Sequence, residues 1–202
     1  MKNIIFVLVT LYSISAVSQT IAPPPAPTNI VEVCSPEVAW GDDVPDYTYF
    51  KDINNTFGKF IGTWKFEHNN HIVIFKIIKI TQKYDPEFKA YEDYLLGNYS
   101  YSTDGGANYI VNTFETSVEN DVESYPMYSS CAETNKISFI FTDVLLNKKS
   151  CWIFFEFLPN SITQMKVSIK NPEKNIGLIT NEGGIYKNIA FTLPVIMTVT
   201  KQ

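Results

Sequence analysis

Runs in which apolar and polar residues alternate begin at Gly62 and recur to the C-terminus, and clusters of Gly, Asn, Asp and Pro separate them. A period of two marks strands with one buried face. Gly62–Phe66 and Ile72–Ile80 flank Asn69-Asn70, residues that tolerate positive φ and suit a two-residue hairpin turn. Pairing across that turn sets Trp64 opposite Phe75, Phe66 opposite Val73 and His68 opposite His71. One face is then aromatic and β-branched, while Lys65 points away. On the other face, Ile72, Ile74, Ile78 and Ile80 surround Lys76, which is too apolar to stand bare in water. The segment before Gly62 is the nearest candidate to cover it.

Further strands are predicted at Leu95–Tyr101 and Asn108–Phe114, around the hairpin signal Asp104-Gly105-Gly106, and at Ile137–Thr142, Cys151–Phe157, Ile162–Ile169 and Phe191–Thr200. Pro194 lacks a donor and belongs at an edge or bulge. Asp85-Pro86-Glu87 reads as an N-cap followed by proline at the first helical position, with Phe88, Tyr91 and Leu95 at helical spacing, so a short helix is expected there. No fixed-period repeat is visible, against propellers and solenoids. The pattern predicts an all-β fold, an antiparallel up-and-down meander that closes or nearly closes into a barrel, with a β-sandwich as the rival.

The N-terminus changes the picture of where the chain works. Met1-Lys2-Asn3, an apolar run from Ile4 to Ile14 and Ala16-Val17-Ser18 have the layout of a secretory signal, with cleavage expected after Ser18. The expected organisation is signal peptide 1–18, Pro-rich spacer 19–30, irregular lead-in 31–59 packing on the domain, and barrel 60–202. The chain is expected to be secreted or periplasmic, with no membrane-spanning segment after cleavage. The formal net charge is −5 and all 16 basic residues are lysines, so nucleic acid is a poor partner.

Candidate chemistry is sparse. His68 and His71 stand at the rim of the aromatic face, but Glu67 projects to the other side and a metal site needs a third ligand, so no metal or other cofactor is expected. No Gly-x-Ser-x-Gly elbow appears, and the pairs Asp42/Asp43, Glu92/Asp93 and Glu119/Asp121 read as solvated; an enzyme is not expected. Glu156 interrupts an apolar run on the face of Trp152 and Phe154, opposite Cys151, Ile153, Phe155 and Phe157, which fits a half-exposed outer face. Three cysteines in an oxidising compartment allow at most one internal disulfide. If Thr142 faces Cys151, then Cys131 lies at the far end of that hairpin, and Cys34 in the lead-in is its reachable partner. Cys151 is left as a buried thiol; three free thiols are the alternative.

The Gly62-Thr63-Trp64 opening, the following hairpin, the meander and the last strand ending Thr200-Lys201-Gln202 resemble small exported bacterial lipocalin-like proteins over residues 60–202. In lipocalins the matching Trp closes the barrel floor, often under a basic side chain from the last strand, for which Lys201 is the candidate here. The resemblance implies a cup that takes a small apolar molecule, with Trp64, Phe66, Val73 and Phe75 inside and His68 and His71 at the rim. The alternative is an envelope-associated structural or protein-interaction domain with a filled interior, whose contact surface would be Tyr47, Tyr49, Tyr91, Tyr94, Tyr99 and Tyr101.

Overall fold

The computed structural model describes residues 23–35, 44–115, 122–146, 148–170 and 179–202, so the expected signal peptide and its expected cleavage point lie outside the described residues. The described residues form thirteen strands: β1 (Asn29–Glu32), β2 (Thr48–Lys51), β3 (Gly62–His68), β4 (His71–Asp85), β5 (Ala90–Ser102), β6 (Val111–Asn112), β7 (Met127–Ser129), β8 (Lys136–Asp143), β9 (Lys148–Phe157), β10 (Gln164–Lys170), β11 (Thr180–Glu182), β12 (Ile185–Lys187) and β13 (Ile196–Lys201). Eight of them, in the order β3-β4-β5-β7-β8-β9-β10-β13, pair antiparallel with their neighbours, and β13 returns to β3 to close the ring. This is a closed up-and-down barrel of the lipocalin-like kind.

The β3–β4 hairpin turns at Asn69 and Asn70, with φ of 46° and 64°. Its register is the one the alternation predicts: Trp64 faces Phe75, Phe66 faces Val73 and His68 faces His71. Trp64 closes one end of the barrel. Its Nε1 donates to the Phe60 carbonyl at 2.8 Å, and the Lys201 ammonium lies 5.2 Å from its ring centre while donating to the Lys59 carbonyl. Gly62 adopts φ 126°, and a Cβ there would meet Lys201 Cε at 3.2 Å, so glycine permits both the backbone angle and the approach of Lys201.

Three expectations are corrected. No helix spans Asp85 to Leu95: β4 runs to Asp85 and β5 starts at Ala90, and the Asp85 carboxylate accepts from the Glu87 and Phe88 N–H groups at 2.8 and 3.2 Å. Asp-Pro caps a strand-to-strand turn with the same hydrogen bonds it would offer a helix. Cys151 pairs with Phe141, not Thr142, because the register shifts between Phe141 and Asp143 and absorbs one residue. The lead-in is not wholly irregular. β1 pairs parallel with β2, and β2 pairs parallel with β5 through Tyr49–Tyr91, while Phe50, Phe57 and Phe60 enter the core at the Trp64 end. Pro194 sits just before β13, outside the ladder.

The barrel interior is occupied by its own side chains. Trp64, Val73, Phe75, Tyr99, Phe139 and Phe155 have no accessible surface, as they would if they bordered a void of water size. β4 and β9 are four places apart in a ring of eight, and Phe75 from one meets Phe155 from the other edge to face, with ring centres 5.1 Å apart. Phe139 packs on Phe155 at 5.6 Å and Tyr99 on Phe141 at 5.4 Å. The Tyr99 hydroxyl, buried at the far end, accepts from the Val144 N–H at 3.0 Å, so the one polar tip in this layer is partnered.

Candidate functional site

Because Cys151, Ile153 and Phe155 point inward along β9, the intervening Trp152, Phe154 and Glu156 must point outward. The neighbouring strands extend each of these into a row. Tyr128, Ile140, Trp152 and Lys170 are successive partners from β7 to β10; Ser138, Phe154, Ser168 and Ile196 follow from β8 to β13; Lys136, Glu156 and Lys166 form the third row. Trp152 and Ile140 are 39% and 45% exposed, large values for an aromatic and an aliphatic side chain standing side by side. Two grooves run over this face. One, of about 290 Å³, is lined by Lys136, Phe154, Glu156, Lys166, Ser168, Lys170 and Ile196. The other, of about 230 Å³, lies against Tyr128, Ser129, Ser130, Cys131, Ser138, Ile140 and Trp152. The ammoniums of Lys136 and Lys170 sit 5.0 and 5.1 Å from the Phe154 ring centre, close enough for cation–π attraction to hold them there.

Beside the second groove the Tyr128 hydroxyl donates to Glu92 Oε2 at 3.2 Å, whereas Glu92 Oε1 is buried with no hydrogen-bond partner. Burial pushes the Glu92 carboxyl up to about 7, against the opposing hydrogen bonds from Tyr128 and Ser130. With its folded value above its ordinary one, Glu92 holds a proton in the folded state that the unfolded chain has released. Its contribution is therefore most favourable below about pH 4.5 and is lost as pH rises towards 7, by about 3 kcal/mol at roughly 1.4 kcal/mol per unit. Urea melts of wild type and Glu92→Gln should coincide near pH 4.5 and separate by pH 8, with the variant the more stable. Parallel pH profiles would show that Glu92 is solvated.

A second buried cluster ties the lead-in to the barrel. Lys79 Nζ lies 2.9 Å from Asp52 Oδ2 and 3.2 Å from Asp93 Oδ2, and Asp93 also accepts from the Tyr49 hydroxyl at 2.6 Å and from the Asp52 and Gln82 N–H groups. Burial opposes the charge on Asp93, but these donors together hold its carboxyl below the usual range. The Tyr49 hydroxyl is pushed up by burial and by Asp93. Reading Glu92/Asp93 as a solvated pair is thus corrected: both lie in β5, with Asp93 1% exposed. The donors come from residues far away in sequence, which no local pattern reveals. Asp42, Asp43, Glu119 and Asp121 lie outside the described residues.

The histidines are joined to the chain itself. His68 Nε2 lies 2.7 Å from the Gly183 carbonyl, which also accepts from Asn69 Nδ2, so the β11–β12 turn is clasped to the β3–β4 turn. His71 Nδ1 lies 2.7 Å from the Tyr101 hydroxyl and its ring stacks on Tyr101. Burial, then Lys187, lowers the His71 pKa. Among the described residues no three His, Cys, Asp or Glu side chains are placed to hold one metal ion. Cys34 and Cys131 form a disulfide with Cα atoms 5.2 Å apart, joining the lead-in to the segment after β7, and Cys151 is buried and takes no part in a disulfide. Tyr49, Tyr91, Tyr94, Tyr99 and Tyr101 are buried in strands β2 and β5, and Tyr47, in the turn before β2, is half-buried, so these tyrosines are not a contact surface. Sequence reasoning noticed the outward β9 face through Glu156 but missed its partners on β7, β8 and β10, which depend on registers set by distant turns.

The fold and its exposed face define a closed eight-stranded antiparallel barrel with a filled interior and a grooved, lysine-flanked outer wall. The chain belongs to the family of unknown function DUF6705, whose model matches residues 1–202. No curated protein and no solved structure matches it. Among the described residues no helix is long and apolar enough to cross a membrane.

Proposed function

We propose that the protein is an exported, non-enzymatic interaction domain that engages an envelope component through the outer face of β7–β10. The observation that carries this reading is the Phe75–Phe155 contact across the barrel, since a cup for a small apolar molecule would need the space those two rings take. Trp64, Val73 and Phe75 then serve as core, Phe66 as its 8% exposed margin, and recognition falls to side chains that face out. The apolar leader and the Cys34–Cys131 disulfide support export, because such bonds persist in oxidising compartments. Among the described residues no nucleophile, base and orienting acid converge at the outer face, which favours binding over catalysis.

The double variant Trp152→Ser/Phe154→Ser tests this. Both side chains point away from the core, so its melting temperature should stay close to that of wild type. Wild-type protein should sediment with the envelope fraction of its own host, and the double variant should do so at least about tenfold less. Equal sedimentation of the two would remove the outer face as the working surface.

A further inference from the structure

We propose that the groove over Phe154 takes an acidic polysaccharide, one carrying carboxylates on its sugar rings; this rests on the outer face being the binding surface. The first observation is charge. The whole chain has a formal net charge of −5, yet this groove gathers Lys136, Lys166 and Lys170 around one carboxylate, Glu156. Lys136 and Lys166 flank Glu156 directly across the strands, but none of the ion pairs among the described residues includes Glu156 or any of these three lysines. The ammoniums are therefore not neutralised by the protein and remain available to an anionic ligand.

The second observation is how the cations are held. Phe154 stands between β8 and β10, and Lys136 from one side and Lys170 from the other each place an ammonium about 5 Å from its ring centre. Cation–π attraction to one fixed ring pre-sets two flexible side chains, which reduces the rotamer freedom lost when they clamp a ligand. Trp152 lies two residues along the same strand face, so the aromatic surface is a row and not a pit. A row suits an extended chain whose ring faces can lie on it.

Glu156 selects among polyanions. A carboxylate lining the groove between Lys136 and Lys166 repels a partner bearing charge at every unit, such as a phosphate backbone or an anionic bilayer. It can accept hydrogen bonds from sugar hydroxyls, and Ser138 and Ser168, beside Phe154 in the same row, can both donate and accept. The cations are also all lysine. An ammonium is a point charge that pairs with an anion without fixing its orientation, which suits single carboxylates spaced along a flexible polymer.

Titration calorimetry of the mature protein with oligogalacturonate, dextran, duplex DNA and phosphatidylglycerol vesicles tests the proposal. Oligogalacturonate should bind saturably and more weakly as salt rises, with dextran at least tenfold weaker. Phe154→Ser and, separately, Lys136→Gln/Lys170→Gln should each lower the oligogalacturonate affinity at least tenfold; the lysine pair is exposed enough to test the idea even if Phe154→Ser perturbs folding. DNA or vesicles bound as tightly as oligogalacturonate, unchanged affinity in the lysine variant, or no saturable sugar binding would each overturn it. If no sugar binds but Trp152→Ser/Phe154→Ser still loses envelope sedimentation, the outer-face reading stands and the sugar class falls. If sedimentation is unchanged, the outer-face reading itself has failed.

Discussion

Phe75→Ala is expected to cost about 3–5 kcal/mol of stability, the range for truncating a fully buried aromatic ring whose surroundings cannot collapse into the gap. Collapse is restricted here because Phe75 meets Phe155 from the opposite wall, and both strands are pinned on each side by ladder partners. The barrel wall cannot move inward without breaking those ladders. The variant should therefore keep the native fold and gain an apolar cavity near the barrel axis. Denaturant melts that moved by less than about 1 kcal/mol would mean that the ring is not packed as the structure has it.

Lys79→Met should cost about 3 kcal/mol. Removing the cation leaves Asp52 and Asp93, both nearly fully buried, facing each other without their shared counter-ion. Breaking a buried pair from one side is costly because an uncompensated charge remains; the low end of that range applies because 18% of the Lys79 side chain still meets solvent. The deficit should shrink as pH falls from 7 to about 4, since protonating one carboxylate relieves the repulsion. Chemical denaturation of both proteins at the two pH values checks this. A deficit independent of pH would show that the loss is one of packing and not of charge.

Much of the fold was legible because it rests on local signals. Asn69-Asn70 and the alternation of Trp64, Phe66, Val73 and Phe75 specify one hairpin completely, since a one-residue slip would expose all four. Asp104-Gly105-Gly106 likewise marks the turn that brings Val111 against Tyr101. The errors arose where two structures share one local signal. Asp85-Pro86 caps a turn as readily as a helix, and β5 is buried on both faces, so without a period of two its first residues read as helical. Between the Phe141–Cys151 and Asp143–Lys148 pairs β9 carries one residue more than β8, and no glycine announces that shift of register. At the candidate site the outward face of β9 was readable from Glu156, but the lysines beside Phe154 come from β8 and β10. Their meeting depends on barrel closure, a property of the whole chain.

On the proposed reading the barrel is filled and recognition lies outside it. Calorimetric titration of benzene, a small apolar probe, into wild type and Phe75→Ala tests this most directly, because a dry apolar cavity of a ring's size binds such a molecule. The account predicts no saturable binding to wild type and one saturable site in Phe75→Ala. Saturable one-to-one binding to wild type that Val73→Phe abolishes without unfolding the protein would contradict it, and would restore a ligand cup behind Trp64.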